Sequence, residues 1–227
     1  MNNMKIIALV PMRHHSQRVP GKNYRMLAGR PLYQHIVGSL LACPGLAEVV
    51  VDTDSPVIIE GLGRDFPQVK VIERPAHLRA DDISMNEILA YDTSQFEADL
   101  YLQTHSTNPL LRSETISRAI QALTAVYPAY DSLFSVTRLQ TRLWDQLGRA
   151  INHNPNVLLQ TQDLPPVYEE NSCIYIFSRP NLLARRNRLS ERPLMFPIDA
   201  AEAWDIDEEL DFAITEFLLK QGIGERG

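Results

Sequence analysis

Between Pro11 and Asn23 the chain reads PMRHHSQRVPGKN, a run in which Arg13, His14, His15, Arg18 and Lys22 all carry or can acquire positive charge. Arginine and lysine at this density are charge-assisted donors to phosphate oxygens, and Ser16 adds a neutral donor. The run matches neither G-x-G-x-x-G nor G-x-x-x-x-G-K-[ST], and Gly21 is its one glycine, so backbone amides alone do not make a phosphate cradle. Side chains must supply the charge. A solvated basic loop is the competing reading; the position directly behind an apolar strand favours phosphate binding.

A second candidate lies near the other end, in WDIDEELDF from Trp204 to Phe212. In extended backbone Asp205 and Asp207 face the same side, and two such carboxylates suit Mg²⁺, which keeps several waters and is shared with substrate phosphates. The stretch taken alone fits another reading equally well. Asp207 is a good helix N-cap, and Glu208 and Glu209 suit the positive end of a following helix. A basic loop and an Asp pair together make a phosphate and metal pair, which tips the balance toward the metal.

The elements that must position these residues alternate. KIIALV from Lys5 to Val10 is a buried strand, and Leu32, Ile36, Val37, Leu40 and Leu41 fall on one helical face. EVVVDT from Glu48 to Thr53 is the next strand, a short helix starts near Ser55, and VKVIE from Val69 to Glu73 is the third strand. This βαβαβ opening predicts a mostly parallel sheet with helices on both faces. ADLYLQ from Ala98 to Gln103 continues as a central strand, followed by a helix marked by Ile116, Ala119, Ile120 and Leu123 with Ser113 as N-cap. DSLFSV is a further strand, and SCIYIF from Ser172 to Phe177 returns to the sheet. Between them, residues 138–170 carry NHNP and DLPP and read as an appendage. Leu210, Ala213, Ile214, Phe217 and Leu218 predict a closing amphipathic helix, with fraying from Gly222 onward.

At 227 residues, with 44% hydrophobic and 22% charged residues, the chain is long enough for one substantial core and is read as a single domain, 1–227. A net charge of -6 argues against a nucleic-acid binder, which presents a broad basic surface. A local basic cluster on an acidic chain points instead to a small anionic ligand. Cys43 and Cys173 are too few for a disulfide framework, and no apolar run is long enough to cross a bilayer, so a reduced cytoplasmic setting is expected.

Six stretches, in order, resemble the acylneuraminate cytidylyltransferase (CMP-sialic acid synthetase) family of sugar-activating enzymes: PMRHHSQRVPGKN, VDTDSP, ERPAHLRAD, LQTHSTNPLLR, YEENSCIYIF and DIDEELDF. The resemblance covers nearly the whole chain. It implies a Rossmann-like nucleotidyltransferase fold, transfer of CMP from CTP to the anomeric hydroxyl of an acidic 2-keto-3-deoxy sugar, Mg²⁺, and a homodimer, with 138–170 as a dimerisation or substrate-covering arm. It makes Arg13, Ser16 and Lys22 binders of the CTP phosphates, with Arg18 as an additional cation and Asn23 part of the same loop. Arg74 and the backbone from Ile83 to Met85 become the readers of cytosine, Asp205 and Asp207 the metal ligands, and Gln103, Asn171 and Tyr175 the sugar pocket. Lys22, Arg13 and Asp207 are then the catalytic set.

Each role has a structural counterpart: Arg74 as a loop tether, Tyr175 as a core strand residue, Asn171 as a turn residue and His105 as a structural hydrogen-bonding group. The form S-x-R-x-P-G-K resembles relatives that activate 3-deoxy-manno-octulosonate, whereas DIDEELDF resembles the sialic acid branch. QTQDLPP, before YEENS, has no arginine of the kind that sialic acid enzymes often place near the sugar carboxylate, so no residue is assigned to that carboxylate. The expected acceptor is N-acetylneuraminate or a related nonulosonic acid. An octulosonate enzyme, a non-catalytic nucleotide-binding relative and, last, a UTP- or GTP-dependent transferase are the alternatives.

Overall fold

The computed structural model describes residues 4–222; the tail expected to fray from Gly222 onward lies outside them except for Gly222 itself. Its first strand, β1 (Ile6–Met12), is buried along its whole length, as a continuous apolar run should be when helices cover both faces of the sheet. A small hairpin, β2 (Met26–Leu27) and β3 (Arg30–Pro31), leads into α1 (Leu32–Leu41). Then come β4 (Glu48–Thr53), α2 (Pro56–Asp65) and β5 (Lys70–Glu73). The middle of the chain supplies α3 (Met85–Gln95), β6 (Leu100–Gln103), α4 (Ser113–Val126) and β7 (Ser132–Leu139). The last part supplies β8 (Val167–Phe177), α5 (Arg179–Arg185), β9 (Pro193–Ile198) and α6 (Glu209–Lys220).

The main sheet has the order β5-β4-β1-β6-β8-β7-β9. Its pairs are parallel except where β8 runs against β6 and β7. The sheet is therefore mostly parallel and Rossmann-like, as expected. Chain order reverses at β1, whose neighbours are β4 on one side and β6 on the other. The loops leaving β1 and β6 diverge there, opening a crevice beyond the strands' carboxyl ends. Register places Pro11 beside Asp52 and Leu9 beside Gln103, so three strand ends meet at that crevice.

Three apolar clusters hold the layers together. One joins α1 and α4 to the sheet through Ile36, Leu40, Ile116 and Leu123. A second, on the opposite face, packs Leu89 of α3 and Leu182 of α5 on Ile7, Leu9 and Tyr101. The third unites Val19 of the basic loop, Leu27, Leu32, Leu110, Ile206 and Phe212. This third cluster draws the Asp-x-Asp segment onto the basic loop from the far end of the sequence.

The structure corrects several local expectations. Ser113 does not cap α4; Arg112 stands at the N-cap, and the buried Glu202 caps from a distance, its Oε2 accepting from the Arg112 amide at 3.0 Å and its Oε1 from Thr115 Oγ1 at 2.9 Å. The inward face of α6 is Phe212, Thr215 and Leu219, while Leu210 and Phe217 are exposed, so the expected apolar face is rotated. Short helix ends are set by tertiary docking as much as by side-chain period. The strands β7 and β8 also run further into the appendage than expected, pairing Leu139 with Val167, so its root is a two-stranded ribbon. Beyond that root, Trp144, Leu147, Ile151 and Leu158 are exposed, and Leu158 retains 91% of its accessible surface.

Candidate active site

Gly21 sets the geometry of the basic loop. Its φ of 66° is left-handed, and an added Cβ would stand 2.9 Å from Tyr24 Cε2, so the position favours glycine both by backbone and by space. The turn carries Lys22 and Asn23 into a short 3-10 helix, Lys22–Tyr24, that buries both. Asn23 Nδ2 donates to the Arg13 carbonyl at 2.7 Å, and its Oδ1 accepts from Ser106 Oγ at 2.7 Å, fastening the loop to the segment behind β6.

These restraints shape a cavity of about 570 Å³ at the crevice. Arg13, Ser16, Arg18, Lys22, Asn23, Arg74, Ile83 and Met85 all line it, together with His15, Gln17, Asp81, His105, Ser106 and Thr107. Every residue expected to contact the nucleotide is thus brought to one wall or another of a single space. His14 turns away from it: its amide donates to Asp54 Oδ1 at 2.7 Å, and its ring lies 2.7 Å from Ser55 Oγ and stacks on Tyr24.

The cations of the loop face carboxylates. Arg13 pairs with Asp81, to which Gln17 Nε2 also donates at 2.8 Å, and Arg18 Nη2 meets Asp207 Oδ1 at 2.6 Å. Lys22 is 9% exposed; its Nζ donates to the Ile206 carbonyl at 2.6 Å and lies 3.8 Å from Asp207. Desolvation lowers the Lys22 pKa, Asp205 and Asp207 oppose the shift, and Arg18 adds to it. Side chains with this charge and reach suit a polyanion at the loop.

Asp205 and Asp207 flank Ile206, whose side chain is fully buried and whose amide donates to the Thr107 carbonyl at 3.0 Å. With Ile206 turned inward, the two aspartates turn outward, as the extended reading requires. Asp207 is not the helix cap: Glu208 occupies that position in a capping box with Asp211, whose Oδ2 accepts from both the Asp207 and the Glu208 amides. Asp205 is exposed as a residue, yet its carboxyl lies in a crowded strip. Desolvation there pushes its pKa up, a hydrogen bond from Thr107 pulls it down, Asp207 pushes it up again and Lys22 opposes. Among the described residues no three His, Cys, Asp or Glu side chains converge as a metal cage. Two hard oxygen donors beside a basic loop nevertheless fit Mg²⁺, which binds through one or two carboxylates plus substrate phosphates.

Arg74 is both a lining residue and a tether. It is 1% exposed, its Nε donates to both carboxylate oxygens of Asp52 at 3.1 Å, and its carbonyl accepts from Arg79 Nε at 2.7 Å. Behind Asp52 lies Asp92, fully buried, with neither carboxyl oxygen meeting a donor. Desolvation and the charge of Asp52 push the Asp92 pKa up to about 9, so it is a neutral acid at pH 7. Its partner is then an acceptor, Asp52, which explains why no donor approaches it.

The residues expected in the sugar pocket are placed differently. Gln103 is fully buried, with Nε2 donating to the Thr104 carbonyl at 3.1 Å and lying 2.9 Å from His105 Nε2. Desolvation, then Arg188 and Lys22, lower the His105 pKa to about 4, so its ring is neutral and accepts that bond. Asn171 does not line the cavity; its Oδ1 accepts from Ser135 Oγ at 2.6 Å and from the Cys173 amide at 3.2 Å, while Nδ2 donates to Thr137 at 3.1 Å. It ties the irregular pairing of β7 and β8, where Ser172 takes a φ of 59°. Tyr175 is fully buried as a strand residue, its hydroxyl near Glu170 and 3.1 Å from Ser172 Oγ. Sequence reasoning missed Asp81, Asp92 and Arg188; no local pattern marks them, although the S-x-x-E capping box at Ser84 to Glu87 marks the start of α3, which carries Asp92.

Comparison with known proteins supplies the family. The sequence matches the family described as Cytidylyltransferase over residues 7–221. It is 31% identical to the CMP-N,N'-diacetyllegionaminic acid synthase of Legionella pneumophila subsp. pneumophila over 96% of this chain and 97% of that one. It is 26% identical to the N-acylneuraminate cytidylyltransferase of Escherichia coli O18:K1:H7, covering 93% of this chain and 51% of that protein. The fold superposes with a TM-score of 0.71 on a CMP:2-keto-3-deoxy-manno-octonic acid synthetase complexed with CTP, at 19% identity, covering 96% and 99% of the two chains. The basic loop, the strand order and the matched span agree: the chain belongs to the cytidylyltransferase family.

Proposed function

We propose that the protein transfers CMP from CTP to the anomeric hydroxyl of an acidic 2-keto-3-deoxy sugar, a nonulosonic acid, with release of pyrophosphate. The observation that carries this reading is the convergence of Arg13, Ser16, Arg18, Lys22 and Arg74 on one cavity, with Asp205 and Asp207 at the adjoining strip. The named activities of the Legionella and Escherichia relatives support the same reaction class.

In the proposed reaction the sugar hydroxyl oxygen attacks the α-phosphorus of CTP in line. Its bond to phosphorus forms as the bond to the β-phosphate oxygen breaks, and the hydroxyl proton is lost to solvent. Catalysis of this kind is mostly positioning and charge neutralisation. Arg13 and Ser16 hold phosphate oxygens, Lys22 and Arg18 neutralise charge on the phosphoryl group and the leaving pyrophosphate, and Arg74 with the backbone of Ile83 to Met85 reads the base. Asp205 and Asp207 would hold Mg²⁺. When bound, Mg²⁺ supplies neutralisation of phosphate charge and a lowered pKa for a nearby hydroxyl.

The exposed Trp144, Leu147, Ile151 and Leu158, concentrated within fifteen residues of the appendage, support its reading as the dimer arm of a homodimer, since large apolar groups gathered on one segment suit a partner surface. Two free, buried cysteines suit the reducing cytoplasm. The deciding experiment is pyrophosphate release from CTP and Mg²⁺ with a panel of acceptors: N-acetylneuraminate, a legionaminic acid and 3-deoxy-manno-octulosonate. Turnover of a nine-carbon acid in preference to the eight-carbon one is the expected result. CTP binding without turnover across the panel defeats the reading.

A further inference from the structure

Arg188 follows α5, and the carboxylate of Glu170 acts on it only from beyond ion-pair distance. No Asp or Glu oxygen lies within ion-pair distance of it among the described residues. It is nevertheless firmly held. Its Cζ sits 3.5 Å from the centroid of the Tyr175 ring, its Nη1 donates to Gln103 Oε1 at 2.6 Å, and its amide donates to Asn86 Oδ1 at 3.2 Å. Gln103 is itself fixed through Nε2 by Thr104 and His105, and His105 lines the cavity. A line of bonded side chains thus runs from the cavity wall to the guanidinium.

Glu170 offsets only part of the cost of this burial, and an anion that met the guanidinium directly would offset more. Desolvation already lowers the Arg188 pKa, opposed by Tyr175 and by Glu170. A guanidinium kept half out of water by an aromatic face, with its orientation set by a buried amide, is preorganised for a planar anion. Lys22 and Arg188 both act on the His105 ring, so both cations stand near it, Lys22 on the basic loop and Arg188 over Tyr175 of β8. The phosphates belong with Lys22 and the basic loop. The side toward β8 is left for the other substrate, and there the register partners Gln103 and Tyr175, both fully buried, stand under Arg188.

We propose that Arg188 recognises the carboxylate of the acceptor sugar, with Gln103 and Tyr175 as its positioning residues. This rests on the reaction proposed above, in which the acceptor carries a carboxylate on the carbon next to its reacting centre. Gln103 and Tyr175 then serve the sugar pocket by holding Arg188 rather than by touching sugar themselves.

The test measures steady-state pyrophosphate release by wild type, Arg188→Gln and Arg188→Lys, with the preferred acceptor from the panel and with its methyl ester. Thermal melting and CTP binding are measured on the same samples. In wild type the free acid is expected to be favoured over the ester by at least tenfold. Arg188→Gln is expected to raise the acceptor KM about 30-fold or more, leave the KM for CTP within twofold, and treat acid and ester alike. Arg188→Lys, which keeps the charge and the bulk, is expected to recover part of the preference and guards against loss of folding in the glutamine variant. An acceptor KM unchanged in both variants, or an acid-to-ester preference that survives in Arg188→Gln, overturns the proposal for Arg188 alone. Wild-type silence with every acidic acceptor overturns the underlying reaction and the proposal with it.

Discussion

Replacing Asp92 by asparagine isolates the acid buried behind Arg74 and Asp52. In the folded protein Asp92 is 0% exposed and keeps its proton to about pH 9, whereas in the unfolded chain it ionises at the ordinary aspartate value of about 3.9. Between these values the folded state binds one more proton than the unfolded state. Stability therefore falls as pH rises, by about 1.4 kcal/mol for each pH unit. Asparagine does not titrate, has nearly the same shape, and can donate an N–H to Asp52 as the protonated acid does. The stability of Asp92→Asn minus that of wild type should thus grow by about 3 kcal/mol between pH 6 and pH 8. Urea unfolding at the two pH values, read by far-UV circular dichroism, measures that difference while titration of the remaining groups largely cancels. A difference that is the same at both pH values refutes the assignment of a neutral Asp92.

Other outcomes test the loop, the metal strip and the arm. Gly21→Ala should cost about 2 kcal/mol through its left-handed φ and the contact with Tyr24, seen as a melting temperature lower by roughly 4 to 8 °C. Lys22→Met should lower kcat/KM for pyrophosphate release by about 10² to 10³, the usual effect of removing one fixed charge aimed at the reacting group. Asp207→Asn should abolish turnover while leaving the urea midpoint nearly unchanged, because its half-exposed pairing with Arg18 is worth little to the fold; near-normal turnover would remove its assignment as a metal ligand. For the proposed homodimer, light scattering of wild type should give the mass of two chains and that of Leu158→Asp the mass of one, with the melt of the isolated subunit unaltered, since that side chain touches little of its own domain.

Much of this site is legible in sequence because strand ends are. Continuous apolar runs at β1, β4 and β6 locate the crevice, and the residues directly behind β1 then carry the charge. The pairing of Asp205 with Asp207 is equally visible, although only the inward anchoring of Ile206 and the capping by Glu208 remove the helix-cap reading of Asp207. What sequence reading lost lies where tertiary structure overrides local pattern. The β9 strand contains Pro193 and Pro197 and is tolerated at a sheet edge, where an unmade ladder bond is cheap. Arm and core exchange identity at Val167 because β8 begins before the apolar run does. Arg188 has no motif at all; its meaning comes from Tyr175 and Gln103, which are distant in sequence and adjacent in space.

The bond from Lys22 to the carbonyl of Ile206 spans 184 positions of the chain. During synthesis the basic loop emerges well before its lysine gains this partner, which waits until the segment ahead of α6 has left the ribosome and docked through Ile206 and Phe212. Domains generally fold as units as the chain emerges, and closing so long a loop carries its own entropic cost. The strands of the sheet are therefore all synthesised before Lys22 gains this partner, and the proposed phosphate site is completed only after Ile206 has docked. A chain cut short before residue 206 would retain most of the strands yet have a phosphate loop with nothing to hold its central lysine.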